Sequence, residues 1–276
     1  MHQLFFFMAL LLFAASAGAA RLPFDPNEAE NISYENVREY AYTNADIVKK
    51  PVRGIYINFH GAGFTGTIDE DTPFAKALAE AGVAEIFPYG DRYCLMNEKL
   101  AEQVEYIVDI IRKELKAPDS VPVAFGGGSM GGLAALTFGV FSNIKPVCVL
   151  ANCPNTDLYA REKLRPETAE QHRRAFRHTD LPWDTVLRIH SPRYLINRLP
   201  ETDYLFLSGD NDPVPGLSRD TEILARLLKK RGDRVAFYSG PIGHCNATEG
   251  MTLAWNRFLY EHLGVDAPDN PYKSWR

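Results

Sequence analysis

A serine in a short glycine-rich segment is the residue whose surroundings point most directly to chemistry. Residues 127–131 (GGSMG) place Ser129 in the pattern G-x-S-x-G. The apolar residues 121–125 (VPVAF) precede the segment, and the small-residue stretch Met130–Phe141 follows it. A strand, a tight turn and a helix in this order hold a serine hydroxyl exposed above a sheet. The segment therefore predicts Ser129 as a nucleophile, with an ordinary structural glycine turn as the alternative.

A second glycine-rich segment, His60–Phe64 (HGAGF), follows a predicted strand that begins at Ile55. Its small residues allow backbone N–H groups to point at an oxyanion that develops during acyl transfer. An ordinary turn from strand to loop is the alternative. The presence of the serine turn in the same chain favours an oxyanion-binding role.

A nucleophilic serine needs a base, and the base needs an acid that orients it. Asp210 and Asp212 follow the predicted strand 204–208, and His244 follows the predicted strand 235–238. Outside the HGAGF segment, His244 is the histidine in the sequence that comes directly after a predicted strand. The chain order Ser, Asp, His, with each residue after a different strand, is the order of an α/β-hydrolase.

Predicted strands alternate with predicted helices along the chain. The strands are 55–59, 84–88, 121–125, 146–151, 204–208 and 235–238, and the helices are 73–81, 98–116, 130–141, 218–231 and 248–263. This alternation predicts the α/β fold class, with a mainly parallel sheet flanked by helices on both faces. The polar segment Asn152–Pro200 interrupts it, either as a lid or specificity element or as a helical pair without a ligand role.

The four motifs HGAGF, GGSMGG, GDNDPVP and GPIGH resemble, in their order, those of α/β-hydrolases of the prolyl oligopeptidase and dienelactone hydrolase-like group. The resemblance covers about Val52–Leu263. It implies the α/β-hydrolase fold, with a helical insertion before the strand that leads to the catalytic aspartate. It also implies a catalytic triad of Ser129, Asp212 and His244.

The same resemblance selects among the acids. In that group the acid directly precedes a small residue and a Val-Pro-like pair, which favours Asp212 and makes Asp210 a turn residue. Asp157 is the second choice, because some relatives place the acid after the strand that here ends at Ala151.

The HGAGF segment is similar to the HGGGF motif of relatives whose small residues donate to the oxyanion. The similarity implies an oxyanion hole formed by the N–H groups of Ala62, Gly63 and Met130. Ala62 departs from the glycine of that motif and narrows the room beside the acyl oxygen.

The expected activity is hydrolysis of carboxylic esters, with short acyl groups or a carbohydrate-linked ester, through an acyl-enzyme intermediate. A small prolyl oligopeptidase-like serine peptidase is the alternative, and a non-catalytic binding protein on a hydrolase scaffold is a lesser one. Peptidases of the group add a propeller domain, and about forty residues lie between the predicted signal peptide and the first motif here. We expect no metal or other cofactor, since His-x-His and HExxH patterns do not occur in the sequence.

The N-terminal residues predict export. The apolar run Leu4–Ala15 is followed by small residues up to Ala20, which is typical of a cleaved signal peptide and too short for a membrane span. A membrane anchor is the alternative. We therefore expect a signal peptide at 1–20, one hydrolase domain at 21–264 with the insertion 152–200, and a polar tail at 265–276. The protein is expected to be secreted or periplasmic, without stable membrane association after cleavage.

Composition and charge limit the possible partners. The 276 residues carry a net charge of −5 and are 46% hydrophobic, which fits a globular domain and predicts no nucleic-acid binding. Export permits disulfides, and the four cysteines allow three complete pairings. The sequence does not choose among Cys94, Cys148, Cys153 and Cys245, although Cys148 in an apolar strand favours a buried free thiol.

Overall fold

The structure is a computed structural model that describes residues 31–90, 93, 95–177 and 179–267. They form a seven-stranded sheet in the order β1-β3-β2-β4-β5-β6-β7. Its strands are β1 (Ala41–Thr43), β2 (Gly54–Phe59), β3 (Val83–Pro88), β4 (Val123–Gly128), β5 (Cys148–Asn152), β6 (Asp203–Gly209) and β7 (Val235–Gly240). Strand β1 is antiparallel to β3, and every other neighbouring pair is parallel. The predicted mainly parallel sheet is confirmed.

Helices cover both faces of the sheet, because parallel strands must be joined by crossover connections. The helices are α1 (Pro73–Glu80), α2 (Glu98–Leu115), α3 (Met130–Phe141), α4 (Leu158–Leu164), α5 (Ala169–Ala175), α6 (Trp183–Ile189), α7 (Leu217–Arg231) and α8 (Glu249–Leu263). Successive strand residues point to opposite faces, so Ile55 and Ile57 pack with α2, α3 and α7, whereas Tyr56 packs with α1 and α8. Among the described residues, none of the helices is long and apolar enough to span a bilayer.

Several element boundaries differ from those predicted. Strand β1 was not predicted, because three residues are too few to give an alternating pattern. The strand expected at Val121 begins at Val123, since the N–H of Val121 donates to Pro118 O in a turn. Asn152, predicted as the first residue of the insertion, is the last residue of β5. The expected signal peptide at 1–20 and residues 268–276 of the expected tail lie outside the described residues.

The insertion between β5 and β6 contains three short helices, α4, α5 and α6, rather than a helical pair. Glu162 on α4 connects all three. Its carboxylate accepts a hydrogen bond from Trp183 Nε1 on α6 at 2.9 Å and lies 2.8 Å from His172 Nδ1 on α5. Burial lowers the pKa of His172, and the contact with Glu162 acts in the opposite direction. These contacts make the insertion a packed unit.

Cys148 begins β5 in the centre of the sheet, where it is fully buried with a free thiol. Burial raises the pKa of this thiol well above its ordinary value, because the thiolate would lose its hydration. The structure therefore agrees with the expectation of a buried, unpaired Cys148.

A buried polar cluster lies on the β1 side of the sheet, around Glu85 of β3. Glu85 is 4% exposed, and its carboxylate accepts a hydrogen bond from Asn58 Nδ2 at 3.1 Å. Its backbone N–H donates to Asn44 Oδ1 at 2.7 Å. Burial raises the pKa of Glu85 to about 7, and the negative charge of Asp71 acts in the same direction. No motif in the sequence marks this carboxyl group.

Candidate active site

The turn between β4 and α3 holds Ser129 at φ of 55° and ψ of −118°, a backbone conformation that non-glycine residues rarely adopt. Such a conformation costs roughly 1–3 kcal/mol, so the neighbouring structure must hold it there. The backbone N–H of Ser129 donates to Asn152 O of β5 at 2.9 Å, and its carbonyl accepts from Leu133 N at 3.1 Å. A Cβ at Gly131 would lie 2.0 Å from Phe59 O, so the close approach of α3 to β2 requires glycine there.

His244 lies in the loop between β7 and α8 and contacts both of the other predicted triad residues. Its Nε2 lies 3.0 Å from Ser129 Oγ, and its Nδ1 lies 2.8 Å from Asp212 Oδ2. A neutral imidazole whose Nδ1–H donates to the carboxylate has a free electron pair on Nε2. That electron pair can accept the hydroxyl proton of Ser129, which is the arrangement needed for a general base.

Asp212 is the acid that the structure brings to His244. Its side chain is 1% exposed, and its second oxygen accepts a hydrogen bond from the N–H of Val214 at 2.8 Å. Both carboxylate oxygens are therefore partnered, which fixes the direction in which the carboxylate faces the imidazole.

The two competing acids lie elsewhere. Asp210 is exposed in the turn directly after β6, and its backbone N–H donates to Gly240 O of β7 at 2.8 Å. Asp157 is the N-cap of α4 and accepts hydrogen bonds from Ala160 N at 2.9 Å and from Arg193 Nη1 at 3.2 Å. The geometry favours Asp212, whereas Asp157 serves as a helix cap.

The segment predicted to form the oxyanion hole lies beside the serine turn. The His60 ring is buried with Nε2 at 2.8 Å from Tyr89 O, and a Cβ at Gly61 would lie 3.8 Å from Gly128 O. Ala62 and Gly63 are exposed, and Gly63 has φ of +88°.

The third predicted donor, Met130, is the first residue of α3. The N–H groups in the first turn of a helix have no partner within the helix. The structure thus brings the segments of all three predicted donors next to Ser129, and their role as an oxyanion hole stays a prediction.

Aromatic side chains stand next to the oxyanion segment. The ring of Phe64 packs against Phe87 at a centroid distance of 5.3 Å and against Tyr89 at 5.9 Å. Phe64 is half-buried, so part of this aromatic surface faces solvent.

Helix α4 of the insertion borders the loop that carries Asp212. Arg161 Nη1 donates to Pro215 O at 3.4 Å, and burial lowers the pKa of this guanidinium. Leu164 is 57% exposed, and its Cδ1 lies 3.4 Å from the Cβ position at Gly216. The insertion therefore contacts the edge of the candidate site from the side of the acid.

A disulfide joins Cys153 to Cys245, with the Cα atoms 5.5 Å apart. The sequence alone did not select this pairing from those that four cysteines allow. A partial signal was nevertheless present, because Cys245 follows His244, Cys153 comes just after β5, and the strands of a parallel sheet end at one edge. Sulfur and nitrogen atoms of Cys153, His244 and Cys245 all lie within 4.8 Å of one another, but the two sulfurs are bonded and are not thiolate ligands.

Comparisons with known proteins identify the fold. No protein-family model and no curated protein sequence matches this chain. Among solved structures, carboxyl esterase 2 from the mycorrhizal fungus Tuber melanosporum is 19% identical with a TM-score of 0.58, covering 82% of this chain and 81% of that one. Esterase B from Lactobacillus rhamnosis is 12% identical with a TM-score of 0.59, and the match covers 86% of this chain and 89% of that one.

A peptidase gives a likeness of the same strength over a smaller part of its length. A puromycin-hydrolyzing peptidase from Mycobacterium tuberculosis is 17% identical with a TM-score of 0.59, covering 79% of this chain and 35% of that chain. The described residues thus have the α/β-hydrolase fold. Its known members among these neighbours include esterases and peptidases, as the motif resemblance implied.

Proposed function

We propose that this protein is a serine hydrolase that cleaves carboxylic esters through an acyl-enzyme intermediate. One observation carries the proposal: the hydroxyl of Ser129, the imidazole of His244 and the carboxylate of Asp212 form a continuous series of contacts at 3.0 and 2.8 Å. The three residues come from loops after three different strands. The fold, and not proximity in the sequence, therefore brings the three side chains together.

Acylation begins with attack of Ser129 Oγ on the ester carbonyl carbon. The hydroxyl proton passes to His244 Nε2, and Asp212 stabilises the imidazolium that forms. The negative charge on the carbonyl oxygen is stabilised by backbone N–H groups of Ala62, Gly63 and Met130. Collapse of the intermediate breaks the bond to the alcohol, which leaves with the proton from Nε2.

Deacylation repeats these steps with water as the nucleophile. His244 accepts a proton from the water, whose oxygen attacks the acyl carbon. Collapse of the second intermediate returns the proton from Nε2 to Ser129 Oγ and releases the carboxylic acid. All proton transfers therefore use one atom, His244 Nε2.

Ester rather than peptide hydrolysis is supported by two considerations. The structural match covers 81% and 89% of two esterase chains but only 35% of a peptidase chain. Esters also have better leaving groups than amides, so the same triad cleaves them with less assistance. We propose small esters, with short acyl or carbohydrate-linked groups, as the substrate class.

A substrate panel tests the proposal. Purified protein should hydrolyse nitrophenyl esters of short acids faster than peptide anilides, and a fluorophosphonate should label it. The matched Ser129→Ala variant should lose both labelling and turnover. Faster cleavage of anilides would establish the peptidase alternative, and turnover retained by Ser129→Ala would refute the triad.

We also propose that the insertion sets substrate preference. The support is the contact of α4 with the acid loop, where Leu164 is largely exposed. Leu164→Ala should change the ratio of kcat/KM values between acyl chains, whereas the matched Leu181→Ala, at a leucine that is 50% exposed in the same insertion, should not. Equal effects of the two substitutions would contradict a specificity role.

We propose that the protein works outside the reducing cytosol. The apolar run Leu4–Ala15 and the Cys153–Cys245 disulfide both support an exported protein. Expression of the full chain should yield mature protein whose N-terminal sequence begins near residue 21. Protein that keeps its N-terminus and stays in the cytosol would contradict export.

A further inference from the structure

Backbone hydrogen bonds connect the residues that precede His244 to the end of β6. The N–H of Asp210 donates to Gly240 O at 2.8 Å, and the N–H of Asn211 donates to Ile242 O at 3.2 Å. Both contacts come before His244 in the chain. The position of the imidazole therefore also depends on what fixes the residue after it.

That residue is Cys245, and it is fixed by two contacts to the end of β5. Its sulfur is bonded to Cys153, and its carbonyl accepts a hydrogen bond from Asn152 Nδ2 at 3.0 Å. Cys153 is in turn held by its N–H, which donates to Leu207 O at 2.8 Å. The disulfide thus connects the histidine loop to the rigid centre of the sheet.

The backbone at both cysteines requires such support. Cys153 has φ of 42° and Cys245 has φ of 52°, in the left-handed region. Non-glycine residues enter this region at a cost of roughly 1–2 kcal/mol and remain there only when surrounding contacts enforce it. Without the bond between the sulfurs, one of the contacts that enforce this conformation is lost.

The same end of β5 also positions the nucleophile. The carbonyl of Asn152 accepts the hydrogen bond from Ser129 N at 2.9 Å, and the side chain of Asn152 holds Cys245. The separation of Ser129 Oγ from His244 Nε2 is therefore set through two consecutive residues, Asn152 and Cys153.

The sulfur of Cys245 lies 3.8 Å from His244 Nε2, the atom that must accept the serine proton. A disulfide sulfur carries no proton and no charge, so it does not compete for Nε2. A reduced Cys245 would present a thiol there, and a thiolate next to a histidine is stabilised as an ion pair with the imidazolium. Such an ion pair would keep His244 protonated, so that its Nε2 could not accept the proton of Ser129.

We propose that Cys153 and Cys245 are positioning residues, whose disulfide holds His244 in line with Ser129 and prevents a thiol from capturing Nε2. The inference rests on the proposed hydrolase function. A dithiol reagent would reduce the bond, yielding two protein thiols and the cyclic disulfide of the reagent, and the hydrolase would lose turnover.

The test uses the full chain with Cys94→Ala and Cys148→Ala, which leaves the pair as its two cysteines. This protein is assayed oxidised, after reduction with dithiothreitol, and after reoxidation, with a nitrophenyl ester of a short acid. Reduction should lower kcat about 10- to 100-fold with little change in KM, because a displacement of about 1 Å at a catalytic group has effects of that size. Reoxidation should restore kcat.

Two further variants in the same background separate positioning from capture. Cys153→Ala leaves the Cys245 thiol beside Nε2, whereas Cys153→Ala with Cys245→Ala removes both sulfurs. Both should lose kcat, and the single variant should lose more, with a pH profile that shifts as the thiol titrates. Equal losses of kcat and identical pH profiles in the two variants would show that the Cys245 thiol does not capture Nε2.

Three outcomes test the positioning role and the hydrolase function on which it rests. Reduced and double-variant proteins that keep kcat within about twofold overturn the positioning role. Melting of both below the assay temperature also overturns it, since the disulfide would then serve folding alone. An oxidised protein that neither turns over esters nor reacts with a fluorophosphonate refutes the hydrolase function itself, which is a separate result from failure of the disulfide proposal.

Discussion

Asp212 and Glu85 are almost completely buried carboxyl groups in two different parts of the sheet, and their neighbours differ. Asp212 follows β6, and its oxygens contact the imidazole of His244 and the N–H of Val214, both at 2.8 Å. Glu85 lies within β3, and its carboxylate contacts the side-chain amide of Asn58 at 3.1 Å. An imidazole can take up a proton and become a cation, whereas an amide cannot.

The difference shows that burial of an acid does not by itself indicate a catalytic site. Burial, with no cationic partner in the described part of the chain, raises the pKa of Glu85 to about 7, so its ionised form opposes folding. Asp212 instead faces a group that becomes positive during the proposed reaction. We therefore expect substitutions at the triad to reduce turnover and substitutions around Glu85 to change stability.

The largest effect is expected at Ser129. Ser129→Ala removes the nucleophile and should lower kcat on the order of 10⁶-fold, as removal of the serine does in subtilisin. Its melting temperature should stay close to that of the parent protein, because one hydroxyl is lost without loss of packing. Ser239→Ala, at an exposed serine of β7, is the control and should keep full turnover. Loss of folding in Ser129→Ala would contradict the expectation that triad substitutions reduce turnover without changing stability.

The acid is expected to come next. Asp212→Asn keeps the size of the side chain but favours the wrong imidazole tautomer, which cost about 10⁴ in kcat in a serine protease triad. Asp210→Asn, two residues away and exposed, should change kcat by less than about tenfold. Steady-state kinetics with one nitrophenyl ester compares the two. A larger loss of kcat in Asp210→Asn, or the largest loss in Asp157→Asn, would show that Asp212 is not the catalytic acid of the triad.

Glu85→Gln should leave turnover unchanged and alter the pH dependence of stability. The folded-state pKa of Glu85, about 7, lies above its ordinary value of 4.5. Between these values the folded protein binds more protons than the unfolded chain, so the contribution of Glu85 to stability is present below pH 4.5 and is lost as the pH rises to 7. Glutamine does not titrate, so the variant should gain stability relative to the parent as the pH rises, by about 2–3 kcal/mol.

Thermal unfolding at pH 5 and pH 8 measures this change. The difference in melting temperature between Glu85→Gln and the parent should favour the variant more at pH 8 than at pH 5. A difference that does not vary with pH would mean that Glu85 stays ionised in the folded protein. Glu80→Gln, at an exposed surface carboxyl, is the matched control.

The smallest effect is expected at Asn58, whose amide donates to Glu85. Asn58→Ala removes a hydrogen bond that stabilises the ionised carboxyl, so it should destabilise the protein by about 1–2 kcal/mol at pH 8. At pH 5 the carboxyl is largely protonated and the loss should be smaller. Equal destabilisation at the two pH values would sharpen the comparison by showing that Asn58 supports the backbone rather than the charge.

Much of the candidate site was predictable because its residues lie at the ends of strands that the sequence pattern predicts. Ser129 lies between an apolar strand and a small-residue helix, and Asp212 and His244 each follow a strand. In a parallel sheet those strand ends share one edge, so local patterns suffice to predict that the three side chains meet. The strand-helix alternation predicted the α/β class and the mainly parallel sheet. The α/β-hydrolase fold and the choice of Asp212 over Asp210 came from the resemblance of the four motifs.

Other features depend on contacts between distant residues, which local patterns do not determine. Cys153 and Cys245 are 92 residues apart, and four cysteines allow several pairings. Glu85 lies in a short apolar strand whose burial depends on how β1 covers the sheet edge, and β1 itself is too short to give a pattern. These features arise from strand order, which the sequence analysis did not assign.

The buried thiol of Cys148 gives the molecule its own reporter of opening. Since the thiol is inaccessible in β5 and its raised pKa keeps it protonated, an alkylating reagent should modify it only when β5 is exposed. In a Cys94→Ala chain, the alkylation rate at Cys148 then measures how often the middle of the sheet opens under native conditions. The same thiol remains protected when the outer loops fluctuate, so it separates global opening from motion at the rim.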